Sequence, residues 1–263
     1  MSELKGRVAL VTGASRGIGA ATARALAAAG ARVIVTDVAD TGALAKELDG
    51  LARRQDVTSE ADWAETIAFA RREAGGLDIL VNNAGVFPKM GPITEIGLEE
   101  WRRVHAVNVE GVYLGCKHAV PALAERAPKW AGGTAIVNLS SVAGLQGVAG
   151  ATCYCASKGA VRFLSKSLAM ELAALKVRVN SVHPGVIDTH MGDEVVRDFA
   201  AGLGIGGNEA RAKVIGLHPL GHMGEAPNIA DAIVFLASDK AAFVTGAEMV
   251  VDGGMTAGPT VTP

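Results

Sequence analysis

The stretch RVALVTGASRGIGAATARALAAAGARVIVTD, residues 7 to 37, decides the fold. It opens with RVALVT, a short apolar run of the kind found in strands buried on both faces. Gly13, Ala14, Ser15, Arg16, Gly17, Ile18 and Gly19 follow at once, and the alanine-rich segment 21–30 reads as a helix ending at Gly30. ARVIVTD is then a second apolar strand that ends in Asp37. Strand, glycine-rich turn, helix and strand make one unit of a parallel sheet. Its turn lets backbone approach a pyrophosphate, which the helix N-terminus stabilises with free N–H groups and positive dipole. Glycines on a turn can be purely conformational, but these flanking elements favour a nucleotide. A carboxylate at Asp37 can accept hydrogen bonds from both hydroxyls of an adenosine ribose and would repel a 2'-phosphate, so it argues for NAD over NADP. Arg16 argues the other way, because a guanidinium there could bind that phosphate.

The alternation continues outward. LARRQDV, residues 51 to 57, reads as a third strand, with Asp56 and Val57 placed to touch an adenine. Residues 59–76 open with Ser-x-x-Asp, keep helical periodicity and close on two glycines. LDILVNNAG is a strand running into Asn82, Asn83, Ala84 and Gly85. Gly85 permits close backbone approach, and the asparagines can tie neighbouring strand ends. From Gly97 to Arg126 the pattern is one long helical stretch with Asn108 inside it, a position asparagine does not favour. Two readings stand level: a buried amide satisfied by local backbone, or a kink carrying a water link to Lys158. KVRVNSVHPG, residues 176 to 185, is another buried strand, ending in Pro184 and Gly185. Val186 and Thr189 follow, the latter able to bind a nicotinamide carboxamide. Residues 190–216 are glycine-rich without firm period and read as a substrate loop. NIADAIVFLAS and EMVVDGG close the sheet. With no repeat or linker, residues 1–263 read as one doubly wound α/β domain.

The segment SVAGLQGVAGATCYCASK, residues 141 to 158, carries the candidate chemistry. Tyr154 and Lys158 are four apart in a run of helical periodicity, so they share one face. A free phenol has a pKa of about 10, and an adjacent ammonium favours the phenolate, making Tyr154 a candidate proton carrier. Ser141, at the end of the strand TAIVNLSS, can donate to the same substrate oxygen. Taken alone, a Tyr-x-x-x-Lys pair is more often a solvated pair than a site. Val86, Phe87, Val142, Leu145, Gln146, Val148, Cys153, Val186 and Met191 read as pocket residues, mostly apolar, which suits a hydrophobic secondary alcohol or ketone.

Composition excludes several classes. A net charge of -2 leaves no basic footprint for nucleic acid. No segment reaches about 18 uncharged apolar residues, so none reads as a membrane span. The start of the chain has no cleavable signal pattern, and Cys116, Cys153 and Cys155 lack the spacing of a redox or metal motif, so a cytoplasmic protein with reduced, buried thiols and no metal is expected. With 49% apolar residues, some surface is expected between subunits.

TGASRGIG at 12–19, Asp37, NNAG at 82–85, Asn108, Ser141, YCASK at 154–158, PG at 184–185 and VVDGG near the end together resemble the short-chain dehydrogenase/reductase family over essentially the whole chain. The resemblance implies a seven-stranded parallel sheet with helices on both faces, and a homotetramer joined through helices near 100–125 and 152–174 and through the C-terminal strand and helix. It implies that Tyr154 is the general acid/base, that Lys158 lowers its pKa and holds the nicotinamide ribose, that Ser141 orients the substrate oxygen, and that Asn108 supports Lys158 through water. Within the family the chain is similar to NAD-dependent secondary-alcohol and hydroxysteroid dehydrogenases, with alicyclic, aryl-alkyl, terpenoid or steroid substrates. An NADPH-dependent 3-oxoacyl-carrier-protein reductase shares the same motifs; Arg126 and Lys129 are a thin version of the basic surface it needs. A protein that binds nucleotide without turnover is the reading from another class, disfavoured because both Tyr154 and Lys158 are present.

Overall fold

Strands whose residues alternate between two apolar faces need a helical layer on each side. The computed structural model, which describes residues 3–258, has that arrangement. The strands are β1 (Val8–Thr12), β2 (Arg32–Asp37), β3 (Leu51–Arg54), β4 (Ile79–Asn82), β5 (Thr134–Leu139), β6 (Val177–Pro184) and β7 (Glu248–Val251). All pair parallel, in the order β3-β2-β1-β4-β5-β6-β7. On one face Ala9, Val11, Val33, Val35, Ile79, Val81 and Val137 pack under α1 (Gly17–Ala28) and α9 (Ala226–Ala237). On the other, Val8, Leu10, Ile34, Leu80, Ile136 and Val179 pack under α3 (Glu60–Ala74), α5 (Gly111–Arg126) and α6 (Thr152–Leu172). Adjacent residues of one strand thus belong to different cores, the consequence of a two-residue period.

The chain runs β1 to β2 to β3 in one direction and then crosses back to place β4 beside β1. That reversal opens a crevice at the carboxyl ends of β1 and β4, where ligands of such sheets bind. Its rim is tied by side chains. Asn83 Nδ2 donates to the carbonyls of Thr12 at 2.8 Å and Gly13 at 3.0 Å, and Thr12 Oγ1 accepts from the backbone N–H of Asn83 and of Ala84, each at 3.1 Å. Asn82 Nδ2 donates to Asn138 Oδ1 at 2.9 Å, joining β4 to β5.

Ser59 caps α3 by accepting from Asp62 N–H, and Gly75 ends it in the left-handed conformation, as the sequence pattern indicates. Two expectations are corrected. Residues 190–216 are not a loop but two helices, α7 (His190–Leu203) and α8 (Gly207–Gly216). Six glycines hid the period, yet Val196, Phe199 and Ala200 of α7 meet Ala210 and Val214 of α8 in a small core of their own. The stretch 97–126 is not one continuous α-helix: α4 (Leu98–His105) widens into a π-helical turn, Ala106–Glu110, before α5. Asn108 lies in that turn, a feature found mostly at functional sites. A short α2 (Gly42–Glu47) completes the helices.

Candidate active site

A cleft of about 1110 Å³ follows the carboxyl ends of the strands from β3 to β6. Its first end is backbone and small residues: Gly13, Ser15, Arg16, Gly17, Ile18 and Gly19 from the turn after β1, and Asn83, Ala84 and Gly85 after β4. A Cβ on Gly13 would stand 2.7 Å from Ala84 Cα, and one on Gly19 would stand 2.2 Å from Gly13 O. Only glycine lets the turn pack this close. Helix α1 begins inside the motif at Gly17, with no side-chain cap and no acidic residue in its first turn. Its free N–H groups therefore open on the cleft, a site suited to a pyrophosphate. Asp37 stands beside them, one carboxylate oxygen accepting from Ser15 N–H at 3.0 Å and the other from Ala39 N–H at 3.1 Å. Asp56, Val57 and the buried Gln55 line the same end. These residues fit a dinucleotide.

Tyr154 lies in the first turn of α6, one turn before Lys158, and both are buried in the cleft wall. Lys158 Nζ is 5.6 Å from the phenol ring centroid and donates to Leu139 O at 2.8 Å. Phe87 packs edge-on against Tyr154, with ring centroids 4.8 Å apart. Ser141 follows β5, its Oγ accepting from Ala143 N–H at 3.1 Å, and it acts on the phenol to lower its pKa. Asn108 does not line the cleft but stands behind it. Its Oδ1 accepts from Val86 N–H at 2.8 Å, and its Nδ2 donates to Val86 O at 3.0 Å and Ser157 Oγ at 3.2 Å. A Cβ on Gly85 would be 3.4 Å from Asn108 Oδ1 and 3.5 Å from Lys158 Nζ, so these polar groups converge where Gly85 leaves room. Neither reading is met as stated: the amide is satisfied by the backbone of Val86, distant in sequence, and by Ser157 Oγ, and the kink is present as the π-helical turn in which Asn108 lies.

Burial dominates the titration of the pair. It pushes the Tyr154 phenol up to about 12, with the hydrogen bond to Ser141 opposing it. It pushes Lys158 down to about 8. In the free chain, burial is the largest influence on the phenol and acts against the phenolate.

Beyond Tyr154 the cleft is mostly apolar, walled by Phe87, Met90, Val142, Val148, Val186, Met191, Val195 and Phe199, with Arg103, His190 and Glu194 as its polar members. Pro184, Gly185 and Thr189 line the wall between the two ends, and Thr189 caps α7 by accepting from Gly192 N–H at 3.3 Å. Leu145, Gln146 and Cys153 do not line the cleft. The 3-10 turn Val142–Gly144 carries Leu145 and the exposed Gln146 past its rim, and Cys153, one residue off the Tyr154 face, turns toward the Trp101 carbonyl. Cys155 is half-buried rather than buried. Arg126 is not a docking residue: it makes two 2.8 Å bonds to the fully buried Asp78 at the amino end of β4, far from the cleft's strand ends.

Two histidines that sequence reasoning missed hold the site from behind. His183 Nδ1 donates to Ser141 O at 3.0 Å, leaving Nε2 to accept from Ser181 Oγ at 2.9 Å, and burial lowers its pKa. His218 Nδ1 donates to Val214 O at 3.0 Å, so its Nε2 accepts from Val186 N–H at 3.2 Å. Both lie where the chain pattern shows only apolar strand or loop, so no local signal marks them.

A doubly wound parallel sheet, a glycine-lined helix N-terminus at its switch point and a buried Tyr–Lys pair beside an apolar pocket define a nicotinamide-dependent oxidoreductase. A family model described as enoyl-(acyl carrier protein) reductase matches residues 13–256. The chain belongs to the short-chain dehydrogenase/reductase family. It is 42% identical over 265 residues to trans-4-hydroxycyclohexanecarboxylate dehydrogenase of Sinomonas cyclohexanicum, covering 96% of this chain and 93% of that one. It is 41% identical over 259 residues to 3-alpha-(or 20-beta)-hydroxysteroid dehydrogenase of Mycobacterium bovis, covering 97% and 91%. Among solved structures, levodione reductase matches with a TM-score of 0.90 at 31% identity, covering 97% of this chain and 100% of that one.

Proposed function

We propose that the chain interconverts hydrophobic secondary alcohols and ketones with NAD(H), Tyr154 being the general acid/base. The observation that carries this reading is the buried Tyr154–Lys158 pair opening on an apolar pocket, with Ser141 lining the same cleft. In reduction Tyr154 Oη gives its proton to the carbonyl oxygen, and in oxidation it takes the proton of the alcohol. Ser141 Oγ orients that oxygen, Lys158 binds the nicotinamide ribose and adds positive charge, and Asn108 positions the Val86 backbone beside them. When bound, the nicotinamide supplies the two-electron acceptor or donor. Asp37 supports NAD: a carboxylate facing the ribose disfavours a 2'-phosphate, and Arg16 is the residue that would favour one. Relatives named for ring alcohols and steroids support alicyclic, steroid, terpenoid and aryl-alkyl substrates.

A homotetramer formed in the cytoplasm is part of the same proposal. Tyr113 on α5 and Phe163 and Met170 on α6 are exposed, as are Leu220 and Phe243 near β7, which is the surface such an assembly would cover. No helix among the described residues is long and apolar enough to cross a membrane.

The test is initial rate on a panel of cyclic, aryl-alkyl, steroid and 3-oxoacyl compounds, each with NAD(H) and NADP(H). Preference for NAD with bulky apolar alcohols is expected; preference for NADPH with acyl thioesters would overturn the substrate and cofactor reading. Tyr154→Phe is expected to abolish turnover while NADH binding, followed by nucleotide fluorescence, persists. Because burial holds the phenol protonated, oxidation should quicken as pH rises from neutrality, while reduction, which uses the protonated phenol, should stay level until pH nears the raised pKa. An oxidation profile that stays flat above neutrality would remove Tyr154 from the proton transfer.

A further inference from the structure

Among the described residues, five side chains carry a buried nitrogen or oxygen without a hydrogen-bond partner, and Gln55 is the one with both polar atoms in that state. It is also the one of the five that lines the cleft. Its side chain is 1% exposed, and its backbone N–H donates to Asp37 O at 2.9 Å, which fixes it one hydrogen bond from the carboxylate at the ribose end. A buried amide left unpaired is costly, so an occupant of this end of the cleft that supplied partners would gain what the free chain lacks. The neighbouring Asp56, the residue the sequence suggests for the base, has one carboxylate oxygen already accepting from Thr58 N–H at 2.9 Å and Thr58 Oγ1 at 2.8 Å.

Resting on the nucleotide reading above, we propose that Gln55 reads the adenine of the bound dinucleotide. Its amide presents one donor and one acceptor side by side, complementary to the amino group and adjacent ring nitrogen on the N6/N7 edge of adenine. A hypoxanthine base replaces that amino donor with an acceptor and offers two acceptors on the same edge. Gln55 therefore sets base specificity at a point where Val38, Ala39 and Val57 supply only apolar contact from their side chains.

The test is calorimetric titration of the full chain with NAD and with nicotinamide hypoxanthine dinucleotide, comparing wild type with Gln55→Met, a substitution of similar length, and Gln55→Leu. If NADP binds tighter than NAD, the corresponding NADP pair is used. The wild-type preference for adenine over hypoxanthine should fall by about tenfold in both variants, the discrimination expected of one bidentate amide–adenine pair. The nucleotide-free melting temperature of the variants should stay level or rise, since an unpaired buried amide has been removed. A preference unchanged within about twofold of wild type would overturn the proposal, given the size of the expected effect. A fall in the nucleotide-free melting temperature would also overturn it, since the amide would then have been satisfied in the free chain, for instance by a buried water. If wild type binds no nucleotide at all, the broader reading fails instead, and the two failures are distinct.

Discussion

Lysine 158 is buried at 5% exposure and its pKa is pushed from 10.5 down to about 8 by desolvation. A group whose charged form is disfavoured on folding weakens the native state at any pH where the unfolded lysine is charged. The difference of some 2.5 units corresponds to about 3 kcal/mol at neutral pH. Replacing Lys158 with Met removes that penalty and also removes the bond to Leu139 O, which offsets about 1–2 kcal/mol. The variant should therefore be about 1–2 kcal/mol more stable than wild type at pH 7, while losing turnover. The sign follows from the direction of the shift. As pH rises from 8 to 10.5 the folded lysine is neutral while the unfolded one is still losing its proton, so wild type recovers stability through that window. Near pH 10.5 the advantage of Met should have vanished. Urea unfolding of both proteins, followed by fluorescence of the three tryptophans at pH 7 and at pH 10.5, measures the difference. A variant less stable at pH 7, or an advantage that is the same at both pH values, would refute the claim that the ammonium is held at a cost.

Asp37→Ala should weaken NAD roughly ten- to a hundredfold while changing NADP much less, because the lost interactions are charge-assisted hydrogen bonds to ribose hydroxyls. An unchanged ratio of the two affinities would show that the ribose lies elsewhere. Asp78, fully buried, receives two bonds from Arg126, one from Trp130 Nε1 at 2.6 Å and one from Val8 N–H at 2.8 Å. Asp78→Asn should therefore cost about 3–5 kcal/mol by leaving Arg126 without its counter-charge. Since this clasp lies at the amino ends of the strands, kcat of the folded fraction should not change, and a kcat loss without a stability loss would contradict the assignment.

Much of the fold and site is determined locally. The apolar runs at 8–12 and 79–82 have almost no polar side chain to offer water, so they specify strands covered on both sides. Gly13 and Gly19 are required because backbone atoms stand within 3 Å of where their Cβ atoms would be. Helical spacing alone puts Lys158 beside Tyr154. Tertiary structure decided the rest, since those features depend on partners distant in sequence. The helices over 190–216 exist because Val196 and Val214 can bury each other, which their glycine-rich composition does not announce. Leu145 and Gln146 are close to Ser141 in sequence and still outside the cleft, because one 3-10 turn redirects the chain. His183 and His218 brace the site through backbone atoms 42 and 32 residues away. The shifts of Tyr154 up and Lys158 down follow chiefly from burial, a property of the packed sheet and helices that helical spacing alone does not reveal.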